Sequence, residues 1–450
     1  MHTHTPARRH FLKLSTRLAT LGLTGLGLGP ARSWFVPDAA AAPVTDYKAL
    51  VCVYLFGGND CNNLIVPVDT ARYTQYQTIR AGLTLSGAGL LAPIADGAGN
   101  PYALHASLPE INTLFGMGRA AIVLNTGQLE RPLTRAEYQA GVQAPSNLFS
   151  HSDQTLQAQT ATSNSTIGGW GGRLLDAFTQ TDTLSAVSVS SPAPFLQSGG
   201  GAPNVIPPGA SLNLSGMNIY PSSAATARRA AVNAMLALDS GHPLRAAANG
   251  AFADGLQLAD TLNNVGTVPN LTTVFPGTGL GNQLREVMKL IRLRAQLGPG
   301  RQVFFCSMGG FDTHTGQAGT HNGLLAELSG AIGAFYLAAM ETGLVNQVTL
   351  FTQSEFGRTL QPNGSGTDHA WGGHQIVVGG GVRGGIYGQM PEFALGGPDD
   401  ANNRGVWIPK ISTAQFGATL GRWFGATAGE LDVAFPNLSL FPTRDVGFML

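Results

Sequence analysis

Five stretches of the chain are apolar almost without interruption: ALVCVYLF (49–56), AAIVL (120–124), QVFFC (302–306), VTLF (348–351) and IVVGG (376–380). A strand with one wet face alternates apolar and polar residues. A continuous run instead reads as a strand covered on both faces, as in a parallel sheet. Helical patterns lie between the runs. LPEINTLFGMG (108–118) precedes the second run, and NQLREVMKLIRLRAQLG (282–298) precedes the third with Leu284, Val287, Met288, Ile291 and Ala295 on one stripe. GLLAELSGAIGAFYLAAMETGL (323–344) precedes the fourth and is apolar nearly all round, which marks it as buried. The alternation predicts an α/β fold: a three-layer α/β/α sandwich on a mostly parallel central sheet, with right-handed crossovers.

Two stretches break the alternation. Residues 180–225 are rich in Ser, Pro and Gly, which suits a short-stranded insertion or a cover over the sheet end. Residues 226–262 look helical and extend the same insertion, so the expected layout is one α/β domain over 43–450 with an insertion at about 180–262.

The first 42 residues read as an address and not as fold. Arg8 and Arg9 precede a short apolar segment, Leu18 to Leu28, and DAAAAP (38–43) offers small residues for cleavage after Ala42. This resembles a twin-arginine export signal with Ala7 where Ser or Thr is usual, so a periplasmic or extracellular location is expected. No membrane span is expected in the mature chain.

Charge excludes one class of partner. With 26 basic and 26 acidic side chains there is no cationic excess to hold a nucleic-acid backbone. The three cysteines, Cys52, Cys61 and Cys306, are odd in number, show no CxxC spacing and lie in or beside apolar runs. Buried free thiols are expected.

In an open parallel sheet, ligands bind beyond the carboxyl ends of the strands. Here each candidate strand runs into polar residues. The first leads to GGND, with Asp60 beside Asn59, Asn62 and Asn63; the third leads to GGFDTH, with Asp312 and His314. The fourth leads to SEFGR, with Ser354, Glu355 and Arg358, and GTDHAWGGH, with Asp368, His369 and His374, comes just before the fifth. FSHSDQ (149–154) adds Ser150, His151, Ser152 and Asp153 ahead of a helical QTLQAQTA. Acids and imidazoles gathered on one sheet edge, without thiolates, suit a divalent metal such as Zn, Mn, Mg or Ca. Without a cation such a crowd of carboxylates would repel itself. Each motif also has a plain structural reading. Asp60 can cap a helix or form a turn, Asp368-His369 can sit in a loop, Glu355 and Arg358 can pair, and Ser150 can be a helix cap.

Together GGNDCNN, FSHSDQ, GGWGGR (168–173), GGFDTH, SEFGRT and GTDHAWGGH, in this order, resemble the DUF1501 family of exported bacterial proteins. That family looks like a distant member of the alkaline phosphatase–sulfatase superfamily. The resemblance implies an alkaline-phosphatase-like fold and an exported metal-dependent hydrolase of phosphate or sulfate esters, small or polymeric. It implies Asp60 as the first-strand ligand, Asp312 and His314 as the mid-chain pair, His369 or His374 as the late histidine, and Ser150 as nucleophile. Glu355 and Asp368 complete the metal set. His151 or His374 would steer a proton or fill a coordination shell, and Arg358 would bind a substrate oxygen. Two cations about 4 Å apart would clamp the attacking and leaving oxygens. This sequence departs from the superfamily in having Ser354-Glu355 where an Asp-His pair is common, and in the close spacing of Asp312 and His314. The other class of reading is a non-catalytic exported binding or assembly protein with a structural metal site, which leaves room for a protein partner.

Overall fold

All five apolar runs are strands. The computed structural model describes residues 46–142, 144–163, 167–178, 184–198, 203–210, 221–238, 241–264, 270–298 and 300–450, so the expected signal at 1–42 lies outside the described residues. Its strands are β1 (Lys48–Leu55), β2 (Ile65–Pro67), β3 (Ile94–Ala95), β4 (Pro101–Leu104), β5 (Ala120–Gly127), β6 (Ala186–Ser188), β7 (Asn204–Val205), β8 (Arg301–Met308), β9 (Val348–Ser354), β10 (Gly373–Gly379), β11 (Gly385–Tyr387) and β12 (Ile411–Ser412). The main sheet runs β11-β5-β10-β9-β1-β8-β6-β7, with β12 also on β5. A small antiparallel sheet, β2-β4-β3, stands apart.

Parallel pairing dominates the main sheet: β1 lies between β8 and β9, and both neighbours run its way. The exception is β10, antiparallel to both β9 and β5. Its direction has a functional result. β1, β8 and β9 deliver their carboxyl ends to one rim, and β10 begins at that same rim, so the residues just before it arrive there too.

Successive side chains of a strand point to opposite faces, and the two faces have separate cores. Ala49, Val51 and Val53 of β1 pack with Phe304, Leu350 and Ile376 under the helices Pro109–Gly116, Gly279–Leu297 and Gln317–Glu341. Leu50, Cys52 and Tyr54 pack with Phe305, Phe351 and Val377 against the helices Trp170–Asp176, Thr413–Phe424 and Ala428–Ala434. The result is the three-layer α/β/α sandwich that the apolar runs call for. Each fully buried Val, Leu or Phe contributes on the order of 1.5–3 kcal/mol, so truncating Phe305 to Ala at the centre would cost about 3–5 kcal/mol.

Local signals set the helix ends. Ser412 and Gln415 form a capping box ahead of Thr413–Phe424, and Gly298, at φ 87°, ends Gly279–Leu297. The helix Gln317–Glu341 is long and apolar enough to cross a membrane. Leu325, Leu328, Ala331, Ile332 and Phe335 are buried, and the helix packs on its neighbours Gly279–Leu297 and Pro109–Gly116.

The segment expected to insert over the sheet end does something simpler in part. β6 and β7 lengthen the main sheet beyond β8 as parallel edge strands. Beyond them, helices Ser222–Leu236 and Pro243–Asn264 cover the stretch read as helical. Pro43–Leu450 group as one unit. All three cysteines are free and buried.

Candidate metal centre

Two glycines bring the ends of β1, β8 and β9 together. Gly57 has φ 116°, and a Cβ on it would lie 2.3 Å from the amide nitrogen of Asp312. Gly58 has φ 83°, and a Cβ there would enter the ring of Phe356 at 2.4 Å. The chain after β1 therefore nests directly on the chain after β8, as only glycine permits. The Gly57 amide donates to Oε1 of Glu355 at 2.7 Å, tying in the end of β9.

At this rim Asp312 is the hub. Its Oδ1 lies 3.0 Å from Nε2 of His314 and 3.1 Å from Nε2 of His369, and its Oδ2 lies 3.4 Å from Nε2 of His151. The ligand atoms of His151, Asp312 and His369 all lie within 4.8 Å of one another. Nε2 of His314 is 3.1 Å from Nε2 of His369. The rings of His151 and His369 meet edge to face at 4.4 Å, and the ring of Phe356 stacks on His369 at 4.8 Å.

The other nitrogen of each ring shows what these Nε2 atoms are. Nδ1 of His151 is 2.9 Å from Oε1 of the buried Glu355, Nδ1 of His369 is 2.8 Å from the carbonyl of Phe149, and Nδ1 of His314 is 3.4 Å from Oδ1 of Asp368. An acceptor at Nδ1 holds the proton there and turns Nε2 into a lone pair. For His151 and His369, whose Nδ1 contacts are the shorter ones, two lone pairs then face one carboxylate, while His314 lies nearer to Asp312 at Nε2 than to Asp368 at Nδ1. Nε2 of His151 is buried and has no hydrogen-bond partner. That orphaned atom, and a donor set of imidazole nitrogen and carboxylate oxygen, fit a divalent cation.

The electrostatics agree. Burial holds the His369 imidazolium down, against the hydrogen bond to the Phe149 carbonyl. Burial pushes the Asp312 carboxyl up, but the hydrogen bond and charge of Arg358, with His369 and His314, hold it below the usual carboxylate range. A neutral imidazole and an ionised carboxylate are the states a cation needs. Some local strain is kept to build this. Asn147 (φ 53°) and Phe149 (φ 74°) sit in the left-handed region just ahead of helix His151–Thr160. That turn aims the Phe149 carbonyl at His369.

The rim thus gathers His151, Asp312, His314 and His369, with Glu355, Asp368 and Arg358 behind them. Other expected site residues stand elsewhere. Asp60, expected as the first-strand ligand, is fully buried and caps the short turn Cys61–Asn63. Its carboxylate is bound by the guanidinium of Arg80 and the amide of Gln317, which leaves it no free face for a metal. His374 points into the core, where its Nδ1 accepts from the amide of Asn125 at 3.0 Å. It lies at the second position of β10, just inside the sheet, and its Nε2 is buried without a hydrogen-bond partner. Ser150 caps helix His151–Thr160, and its Oγ donates to Oδ2 of Asp153 at 2.6 Å. Asp368 receives Arg404 at 2.6 Å and Asn363 at 2.5 Å, so it acts here as the partner of His314. Arg358 is fully buried with Nη1 on Asp312 at 2.7 Å, pairing with that residue and not with Glu355.

Sequence reasoning missed the Phe149 carbonyl, the Phe356 ring, Arg80, Gln317 and Arg404. Phe149 and Phe356 lie inside the quoted motifs. Arg80 and Gln317 sit on helices with no local mark of their role.

Comparison with known proteins gives the family and leaves the activity open. No curated protein matches the chain. Among solved structures, the lipoteichoic acid synthase LtaP from Listeria monocytogenes is similar at 8% identity and a TM-score of 0.35, over 91% of this chain and 79% of LtaP. The PsFucS1 sulfatase from Pseudoalteromonas sp. is similar at 9% identity and a TM-score of 0.35, over 85% of this chain and 68% of its own. The functional reading therefore rests on side chains and not on these two similarities. The sequence matches the family described as "Protein of unknown function (DUF1501)" over residues 47–404, and the chain belongs to that family.

Proposed function

We propose that the rim binds one divalent cation and that the protein uses it to hydrolyse phosphate or sulfate esters. The observation that carries the reading is the convergence of three imidazole Nε2 atoms on the Asp312 carboxylate, with the rings of His151 and His369 held by acceptors at Nδ1. His151, Asp312 and His369 would hold the ion, with His314 as the further donor. Bound there, a divalent cation supplies Lewis acidity toward an ester oxygen. Glu355, Asp368 and the Phe149 carbonyl keep the rings in register, and Arg358 keeps Asp312 ionised. Asp312 is 45% exposed and His314 43%, so an ester reaches the centre from solvent. The nucleophile in this reading is the Ser150 hydroxyl, which caps its helix and donates to Asp153, or a water molecule.

The donors favour one cation over two. Asp60 is neutralised by Arg80, and among the described residues one cluster offers ligand atoms to a single ion. Export by the twin-arginine route belongs to the same reading. The test is elemental analysis of the protein purified from its exported location, followed by a panel of chromogenic phosphate and sulfate esters. One equivalent of metal, with turnover lost in His369→Ala, is expected. Protein free of metal, and unable to take up Zn, Mn, Mg or Ca, overturns the reading.

A second reading has its own observation. Helices Ser222–Leu236 and Pro243–Asn264 expose Met235, Leu244 and Phe252, and Leu238 is exposed just past the end of the first, which favours a binding or assembly protein with a structural metal. Tightly held metal with no turnover on any ester would select it.

A further inference from the structure

Behind Asp312 the buried polar groups form one directed chain. Nη1 of Arg358 donates to Asp312 at 2.7 Å and to the Gly57 carbonyl at 3.2 Å. Its Nε donates to Oγ1 of Thr367 at 3.2 Å, and its Nη2 to the Thr367 carbonyl. The Thr367 hydroxyl then donates to Oε1 of Gln317 at 2.6 Å, and Nε2 of Gln317 donates to Asp60. Asp60 is held in turn by Arg80, which also donates to Asn63 and to the carbonyls of Thr359 and Leu360.

The direction of every bond in this chain is fixed. Guanidinium and amide nitrogens can only donate and a carboxylate can only accept, so the Thr367 hydroxyl must accept from Arg358 and give its proton to Gln317. Asp60, Arg80, Arg358, Thr367 and Gln317 are all buried, three of them with no exposed surface at all besides Thr367. A network of this kind in a low-dielectric interior is rigid when every member is satisfied. Its outer end is Arg358, a buried cation that touches the exposed hub of the metal centre. The two loops concerned are also knitted together: the amide of Thr367 donates to the Thr313 carbonyl at 3.1 Å, and that of Gln317 to the Ser365 carbonyl at 2.9 Å. A Cβ on Gly366 would lie 2.3 Å from the backbone of His314, so the loops have no room to slide.

We propose that Thr367, Gln317 and Asp60 are positioning residues. They fix Arg358, and through it the Asp312 carboxylate, against the three imidazoles, and so set how tightly the centre holds a divalent cation. The proposal rests on the metal-binding reading above and adds to it a determinant that never touches the ion.

The test is Zn2+ binding to the full chain by calorimetry at constant pH. Thr367→Val keeps the shape and removes the hydroxyl; it is expected to weaken Zn2+ by about 10–100-fold, the range for lost outer partners of metal ligands. Thr367→Ser restores the hydroxyl and is expected to restore affinity, which general loosening of the loop would not do. Gln317→Leu cuts the chain at its next bond and serves if the valine variant does not fold. Wild-type affinity in folded Thr367→Val and Gln317→Leu overturns the proposal. Should the wild type bind no Zn2+, Mn2+, Mg2+ or Ca2+, the metal reading has failed, and a crystal structure of Thr367→Val then decides: Arg358 still on Asp312 overturns the positioning role, and Arg358 withdrawn supports it.

Discussion

Arg358 has no exposed side-chain surface, yet its Nη1 reaches 2.7 Å to a carboxylate, that of Asp312, which is 45% exposed. A charge kept from water is thereby presented to the more exposed of the rim's acids. The guanidinium spans Asp312, Gly57 and Thr367 at once. An ammonium is a point charge without this planar fork. Arg358→Lys is therefore expected to bind Zn2+ about 10–100-fold more weakly, as read by calorimetry, although formal charge is unchanged.

The Asp60–Arg80 pair predicts a stability effect. Removing one partner of a buried ion pair strands the other, at a cost of about 3–5 kcal/mol. Arg80→Met and Asp60→Ala should each lower the free energy of unfolding by that order in urea titrations. The double variant should lose less than the sum of the two, because neither charge is left alone. Additive losses would show that the residues are not coupled.

His374 predicts a pH dependence. Burial pulls its pKa down from 6.5 to about 4, so the fold keeps it neutral while the unfolded chain takes up the proton first. Its stabilising share is full above about pH 6.5 and is lost as pH falls from there to about 4, an effect on the order of 3 kcal/mol. His321, which burial pulls down to about 3, acts in the same direction. His374→Asn supplies a non-titrating oxygen to the Asn125 amide. Its unfolding free energy, followed from pH 7.5 to 4.5, should fall less steeply than that of the wild type; an equal slope would refute this assignment.

Gly57 predicts a link between backbone and metal. At φ 116° with Asp312 against it, Gly57→Ala should cost at least about 1–3 kcal/mol and weaken Zn2+ binding by displacing the hub. Gly82, whose added Cβ would meet nothing within 4 Å, is the control. Gly82→Ala should leave both the denaturation midpoint and the affinity where they were.

Bound cation should itself stabilise the fold. At a free concentration of 100 times Kd, a ligand that binds only the native state contributes about 2.7 kcal/mol. Thermal unfolding of chelator-treated protein should shift upward on adding back the metal, and the shift should vanish in His151→Ala. A shift that persists in this variant would place the ion elsewhere.

What the sequence disclosed follows from what is local. Continuous apolar runs marked β1, β5, β8, β9 and β10, because burial on both faces is written in the composition of each strand. The direction of β10 is not written there, since a strand pairs either way with the same residues. β6 and β7 are three and two residues long, too short to show a pattern within Ser, Pro and Gly. At the site, motif clustering found His151, Asp312, His314 and His369. It could not find that Asp60 is bound by Arg80, twenty positions away on the polar helix Thr70–Arg80. Nor does GTDHAWGGH show which histidine faces solvent. That depends on where the loop ends and β10 begins, between His369 and His374.

Because β10 runs backward, the segment from Glu355 to Gly372 leaves the rim and comes back to it without crossing the sheet. Its tip, including exposed Asn363, Gly364 and Ser365, is anchored at both ends by residues of the centre. That tip, unlike the flanking Arg358, Thr367 and His369, can lengthen, shorten or change its chemistry while the sheet's register and the centre are untouched. Relatives with the same four rim residues can therefore differ in what they admit by rewriting the tip alone, the molecule's interchangeable part.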